Sequence, residues 1–292
     1  MLILISDAFD PGLPGKLQKY GEVTDDKGRL ADAEVVLVRS KTKVTREYID
    51  SAPHLKMVIR GGVGLDNVDL EYAKEKGIIV HNTAAASSIA VGELAFAMMI
   101  AMPNHLSRAD VSMHEGKWLK KELKRTELYG KTLGVLGMGR IGTEIGKRAK
   151  AFGMKVLAYD PFIKSSEIAE MKTDLKELLG ASDYVSLNMP LTDDTRGMIN
   201  KDTLTLCKDG AYMINTGRGK CVIEEDVANA LKGGRLAGYA TDVWYSDPPE
   251  SSPLMDAPNV LMAPHIGAST RENLLRIGEI IDQLLGEYVR KQ

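Results

Sequence analysis

Several things are scarce in this sequence, and each shortage closes off a class of function. Only two cysteines, Cys207 and Cys221, occur in 292 residues. That is too few for a disulfide scaffold or a thiolate metal site, so no metal is expected and a reducing, cytoplasmic setting is. No apolar run reaches the length of a membrane span; the longest, Leu94 to Met102, stops at Pro103. The start, MLILIS, lacks a basic leader and meets Asp7 and Asp10 at once, so a first strand is expected there and not a signal peptide. Neither sign of charge is in excess: 38 Lys and Arg against 40 Asp and Glu leave a net charge of −2. Nucleic acid and anionic membranes are therefore not expected as partners, and any positive field must be local. Aromatic residues make up only 5%, and the 14 methionines are expected as core filler.

What is present is ordinary soluble material, 44% hydrophobic and 27% charged, in a chain long enough for about two domains. Its most informative stretch is Thr132 to Asp160. An apolar run, Leu133 to Leu136, ends in Gly137-Met138-Gly139-Arg140-Ile141-Gly142. Ile141, Ile145, Ala149 and Phe152 come next at helical spacing, and a second apolar run, Val156 to Tyr159, closes on Asp160. The order is strand, glycine turn, helix, strand, acid. Gly137 makes the tight turn, Gly139 lets backbone approach a pyrophosphate, and Gly142 brings the helix against the sheet. The anion then sits on exposed N–H groups at a helix N-terminus formed by Arg140 and Ile141. Asp160 is placed to accept from a ribose diol and to repel a 2′-phosphate, which favours NAD over NADP. A bare glycine pattern is weak, and here the flanking strands and the acid carry the reading.

Upstream, strand-like runs recur at Leu2 to Ile5, Val35 to Arg39, Met57 to Arg60 and Ile78 to His81. Helical or irregular stretches separate them, among them Asp69 to Lys76, capped by Asp69 and stopped by Gly77. Downstream of Asp160 the runs are Tyr184 to Asn188, Ala211 to Thr216, Leu236 to Val243 and Val260 to Ala263, which with the glycine-turn pair predicts six strands. The fold class is therefore α/β with two doubly wound parallel-sheet domains, a Rossmann dinucleotide-binding domain over 103–267 and a flavodoxin-like substrate domain before it. The amphipathic stretch Thr270 to Arg290 has no strand left in the second domain to serve, so it is expected to return to the first, which becomes 1–102 plus 268–292. Residues 117 to 131 are charged and aperiodic, expected as a solvated arm or, with Trp118, as a surface for a partner subunit.

In an open parallel sheet ligands bind at the carboxyl ends of the strands. The strands of the second domain run out into the glycine turn, Asp160, Asn188-Met189-Pro190, Thr216-Gly217-Arg218-Gly219, Asp242 and Pro264-His265. Arg218, between two glycines, is suited to grip a carboxylate bidentately. His265 is the residue type whose unperturbed pKa lies near neutrality, as removal of an alcohol proton requires. Taken singly, a loop arginine is a surface charge and a lone histidine a structural residue; position at the sheet edge favours function. In the first domain Arg60 precedes Gly61-Gly62-Val63-Gly64, whose backbone can form a nest for an anion, and Arg39 with Ser40, Lys41 and Lys43 also comes after a strand. Either these arginines hold a substrate with more than one negative charge or they form a solvated basic rim.

These residues resemble the D-isomer-specific 2-hydroxyacid dehydrogenase family, and within it the D-3-phosphoglycerate dehydrogenases. The matching motifs, in the family's order, are VRSKTKVT (38–45), RGGVGLDNVDL (60–70), ELYGKTLGVLGMGRIG (127–142), NTGRGK (215–220), TDVWYSDPP (241–249) and PHIGAST (264–270). The resemblance implies NAD as cofactor, a small 2-hydroxy or 2-oxo acid as substrate, a homodimer built through the cofactor domains, and catalysis in the cleft between domains. It implies that Arg218 holds the substrate's carboxylate and reacting oxygen, that His265 is the acid/base with an acidic partner before Pro248-Pro249, and that Asp242 meets the nicotinamide amide. Pro190 and Thr216 fall on the cofactor side, and Arg39, Arg60 and the Gly62, Val63 and Gly64 backbone on the substrate side. The implied reaction is oxidation of D-3-phosphoglycerate to 3-phosphohydroxypyruvate in serine biosynthesis. Reduction of glyoxylate or hydroxypyruvate is the alternative, and a dinucleotide-sensing binding protein a more distant one.

The sequence departs from the pattern in two places. Asp247 stands where the family usually carries Glu, one methylene shorter. Unless the backbone moves by about the 1.5 Å of a C–C bond, the direct hydrogen bond to His265 is expected to be lost or bridged by water. After Asn82-Thr83 the segment is AAASS, without the Gly and Asn that phosphoglycerate enzymes tend to carry.

Overall fold

The computed structural model describes residues 1–291. Two compact units divide the chain, Met1–Ser88 with Ala268–Gln292, and Ile89–Gly267. The first division falls at 88, inside the helix Ala84–Ala101, and not after 102 where the apolar run ends in Pro103. A helix carries no sequence mark at the point where it leaves one core.

The first unit is a five-stranded sheet: β1 (Leu2–Ile5), β2 (Glu22–Thr24), β3 (Val35–Val38), β4 (Met57–Arg60) and β5 (Ile79–Asn82). The order is β2-β1-β3-β4-β5, all parallel, the flavodoxin-like winding. β1 and β3 are four-residue runs buried along their whole length, as a parallel sheet covered on both faces requires. β2 is the strand that periodicity misses, because its three residues Glu-Val-Thr are partly exposed at the edge. The helix Leu70–Glu75 starts on Asp69, which accepts from the Tyr72 amide at 3.0 Å, and ends before Gly77 at φ +71°. The helix Arg271–Arg290 belongs to this unit; Thr270 caps it, and Ile277, Ile281 and Leu285 are fully buried beside Ile3, Leu13 and Leu17. Truncating one of these to Ala would cost about 2–5 kcal/mol.

The second unit has seven parallel strands, not six: β6 (Thr132–Leu136), β7 (Lys155–Tyr159), β8 (Glu170–Lys172), β9 (Tyr184–Leu187), β10 (Ala211–Asn215), β11 (Leu236–Thr241) and β12 (Val260–Met262). Their order is β12-β11-β10-β9-β6-β7-β8. The extra edge strand, Glu-Met-Lys, has no apolar run to announce it and exists through its pairing with β7. Ile145 and Ala149 of the helix Arg140–Ala151 are buried against this sheet, while Phe152 lies at its end, half exposed, edge-on to Phe96 at 4.8 Å.

Ala84–Ala101 is long and apolar enough, by length and composition, to cross a membrane; a count of uninterrupted apolar residues passes over it. In this fold Ala95, Phe96, Met98 and Met99 are core residues of the second unit. The helix Leu106–His114 comes next, and residues 117 to 131 are largely exposed, with Trp118 at 73%.

Register decides what meets what. Tyr159 pairs with Leu136, Leu136 with Leu187, Leu187 with Asn215, Asn215 with Thr241, and Thr241 with Met262. One row therefore runs across six strands at their carboxyl ends. In the first unit Val38, Arg60 and Asn82 form the equivalent row.

Candidate active site

Immediately beyond the long row stand Gly137, Asp160, Asn188, Thr216 and Asp242, with Arg218 and His265 each three residues past it. β11 alone separates β10 from β12, so the backbones that carry Arg218 and His265 leave the sheet two spacings apart, about 10 Å at roughly 4.8 Å each.

The three glycines of the turn have distinct geometry. Gly137 sits at φ +88°, and a Cβ there would lie 2.9 Å from the Asn188 carbonyl oxygen. At Gly142 a Cβ would lie 2.2 Å from the Gly137 oxygen and 2.9 Å from Val135 Cγ1, so only glycine lets the first helical turn press onto the strand. Gly139 is the N-cap, no side chain caps the helix, and a Cβ there would meet nothing within 4 Å. Exposed first-turn amides beneath an open face, with Arg140 exposed beside them, suit a phosphate group.

Asp160 does more than its place after a strand suggests. Its Oδ2 accepts from the Met138 amide at 2.9 Å, and its Oδ1 from the Phe162 and Ile163 amides at 2.9 and 3.1 Å. The carboxylate braces the glycine turn. Three of its roughly four acceptor positions are used, which leaves one for a diol.

Pro190 is exposed after β9, and its carbonyl accepts from Thr195 Oγ1 at 2.6 Å. Thr216 is buried, with an Oγ1 that has no hydrogen-bond partner within the chain. Such an atom costs free energy unless a ligand meets it. Beside it Asn215 folds the chain back: its Oδ1 accepts from the Gly217 amide at 3.1 Å, and its Nδ2 donates to the Arg218 carbonyl at 3.1 Å and to Tyr239 Oη at 3.2 Å. A Cβ on Gly219 would be 2.3 Å from the Trp244 backbone. Arg218 is thus seated between a self-bonded turn and a packed glycine, half buried, with Nη1 donating to the Gly217 carbonyl at 2.7 Å.

His265 has φ +55°, a left-handed conformation that costs a non-glycine residue about 1–3 kcal/mol. Asp242 opposes that cost. Only 2% exposed, it accepts from the Ile266 amide through Oδ1 and from the Gly267 amide through Oδ2, both at 2.7 Å. Charge-assisted bonds of this kind contribute on the order of 1.5–3 kcal/mol each, enough to hold the turn. Burial pushes the Asp242 carboxyl above the ordinary carboxylate value, more than the two amides and the nearby imidazole pull it down. Each of its oxygens keeps a second acceptor position for a ligand amide.

The imidazole Nδ1 meets Asp247 Oδ2 directly. The expectation that a shorter acid loses this bond is therefore corrected: the loop brings Asp247 within direct reach of the ring. Trp244 Nε1 donates to the Ala263 carbonyl at 3.0 Å, Tyr245 Oη donates to the Val222 carbonyl at 2.6 Å, and Ser252 Oγ donates to the buried Glu224 Oε2 at 2.7 Å. These three bonds fasten the loop that carries Asp247 to neighbouring segments of the second unit. None of them is legible in the sequence; an isolated Trp, Tyr or Ser has no periodicity to betray it.

In the first unit, Arg39 and Arg60 are half buried at the ends of β3 and β4. The Arg60 guanidinium fills the space over Gly62, where a Cβ would lie 1.6 Å from Nη1; Gly62 has φ +148°. The carbonyls of Gly62 and Val63 accept from the Thr83 amide at 3.1 Å and Asn82 Nδ2 at 2.7 Å. Gly64 continues this segment and is partly exposed. Burial lowers the pKa of Arg39, with Asp7 acting in the opposite direction. Among the described residues no group of three or more His, Cys, Asp or Glu is placed to hold a metal ion.

Residues 96–267 match the NAD binding domain of D-isomer specific 2-hydroxyacid dehydrogenases. The chain belongs to that family. It is 41% identical over 301 residues to the D-3-phosphoglycerate dehydrogenase of Methanocaldococcus jannaschii, covering 99% of this chain and 57% of that one. It is 44% identical over 262 residues to the hydroxypyruvate reductase of Thermotoga maritima, covering 88% of this chain and 86% of that one. The D-lactate dehydrogenase of Aquifex aeolicus, solved with NAD and lactic acid, superposes with a TM-score of 0.87 at 30% identity, over all of this chain and 96% of the other. The chain thus spans little more than half the length of the phosphoglycerate dehydrogenase it matches. The open face at Gly139, the uncapped helix and the partnerless Thr216 hydroxyl fit the family's dinucleotide.

Proposed function

We propose that this protein is an NAD-dependent dehydrogenase of D-2-hydroxy acids, and that its substrate is D-3-phosphoglycerate, oxidised to 3-phosphohydroxypyruvate. The observation that carries the chemistry is the direct Nδ1 contact of His265 with Asp247 on a turn held by Asp242. With Nδ1 engaged, Nε2 on the other side of the ring takes the substrate's hydroxyl proton, and Asp247 stabilises the imidazolium that forms. Arg218 donates to the carboxylate and the reacting oxygen, so C2 is oriented before transfer and little entropy is lost in reaching the reactive geometry. The bound nicotinamide supplies the hydride acceptor. Arg39 and Arg60, at neighbouring strand ends, support the choice of a substrate with a second anionic group. The two thiols, both buried, are compatible with a reducing cytoplasm.

Reduction of hydroxypyruvate or glyoxylate is the second reading, favoured by the Thermotoga relative, whose length is nearly all covered. Steady-state turnover of phosphohydroxypyruvate, hydroxypyruvate and glyoxylate, each with NADH and NADPH, separates the two. Our reading expects the highest kcat/KM for phosphohydroxypyruvate with NADH; a preference for either unphosphorylated acid sinks it.

A further inference from the structure

Outside the groups assigned so far, two side chains of the first unit grip one short loop from opposite sides. Asp7, just past β1, accepts through Oδ2 from the amides of Arg39 at 2.6 Å and Thr42 at 3.1 Å, and through Oδ1 from Thr42 Oγ1 at 2.7 Å. Asn67 donates through Nδ2 to the carbonyls of the same two residues, Arg39 at 2.7 Å and Thr42 at 2.6 Å. The donors of Arg39 and Thr42 go to one side chain and the acceptors to the other. Asn67 is itself anchored, since its carbonyl accepts from the Val44 amide at 2.7 Å and Val44 bridges to Val68. The arginine's stem is confined as well: a Cβ on Gly61 would be 3.4 Å from Arg39 Cγ and 2.5 Å from Phe9 Cε1, and Nη1 donates to the Ala8 carbonyl at 3.4 Å.

We propose that Asp7 and Asn67 are positioning residues that hold Arg39 ready for the phosphate of the substrate and so set the preference for a phosphorylated over an unphosphorylated acid. The inference rests on the reading above that Arg39 contacts the substrate. An arginine fixed at both backbone groups and along its stem loses less freedom on binding a dianion than one on a mobile loop, and the difference appears as affinity. Lys41 and Lys43, exposed on the same loop, are carried with it. Asp7 is tied to the loop by three donors on its carboxylate, and its charge acts on Arg39.

The test is a double-mutant cycle in the full-length protein, read as KM and kcat for phosphohydroxypyruvate and for glyoxylate with NADH. Arg39→Ala comes first, and should raise KM for the phosphorylated acid far more than for glyoxylate; if both change alike, the assignment of Arg39 is wrong and the inference goes with it. Given that result, Asn67→Ala should raise KM for phosphohydroxypyruvate about tenfold, the cost of ordering one long side chain, with kcat and the glyoxylate KM within about twofold. In the Arg39→Ala background the same change should add nothing, because Asn67 acts through Arg39. Thr42→Val, which removes one bond from the clamp and leaves the backbone pairs, should move KM in the same direction by less. Equal losses for both substrates, or an Asn67→Ala effect that persists without Arg39, would mean a purely structural clamp and overturn the proposal.

Discussion

Asp247 touches His265 directly, and the loop that carries the acid is tied down at Trp244, Tyr245 and Ser252. The pair is built from β12 on one side and the loop after β11 on the other.

Removing the charge of that acid tests the pair. Asp247→Asn keeps the volume and one acceptor but no longer stabilises an imidazolium. Acid–base groups contribute on the order of 10²–10⁴ in rate, so a fall of about 10² in kcat is expected, with NADH affinity unchanged by fluorescence titration. An unchanged kcat would show that the contact is not used.

Glu224 gives a pH signature. Burial raises its carboxyl above the usual value of 4.5, and the Ser252 hydroxyl only partly offsets this. A carboxyl whose folded pKa lies above its unfolded one favours the fold when protonated. That contribution is complete below 4.5 and is lost as pH rises through the higher folded value. Glu224→Gln keeps an acceptor for Ser252 and abolishes the buried charge. Its Tm should exceed that of the parent at pH 8, and the gap should shrink toward pH 4.5. A gap that widens on acidification would refute this.

The glycine turn separates folding from binding. At Gly142 a Cβ would sit 2.2 Å from the Gly137 oxygen, so Gly142→Ala should lower stability by about 1–3 kcal/mol through overpacking. At Gly139 the Cβ meets only open space, so Gly139→Ala should melt like the parent yet bind NADH about tenfold more weakly, the Cβ displacing a phosphate from the helix amides. Thermal melts and NADH titrations of both variants check the two halves.

Association is the remaining expectation. Leu106, Val111, Met113 and Trp118 are 52%, 54%, 56% and 73% exposed on the second unit, and large apolar side chains in water favour association where they form a patch. We propose a homodimer through this unit. Light scattering should give twice the chain mass, and Val111→Glu with Trp118→Glu should halve it; a parent that is monomeric at micromolar concentration would exclude the dimer.

Much of the candidate site could be placed at strand ends before any coordinates. The glycine turn, Asp160, Thr216, Arg218 and Asp242 lie just past buried apolar runs and His265 just past a half-exposed one, and apolar runs are visible in a one-dimensional pattern. The edge strands β2 and β8 were not visible, because their residues are charged or half exposed and their pairing supplies what their composition lacks. The Asp7–Asn67 clamp and the Glu224–Ser252 tie were equally hidden, since their partners lie 25 to 35 residues apart and obey no period.

By itself the amino-acid order determined the strand count to within one per sheet, the parallel α/β class and the strand ends at which the candidate residues collect, since all three result from which residues must leave water. Whether a shortened acid still reaches its histidine, which oxygens of Asp160 and Asp242 are already spent, and how Arg39 is held were decided only in the folded chain. Those outcomes turn on shifts of about an ångström between segments distant in sequence, and hydrogen bonds are lost over such distances.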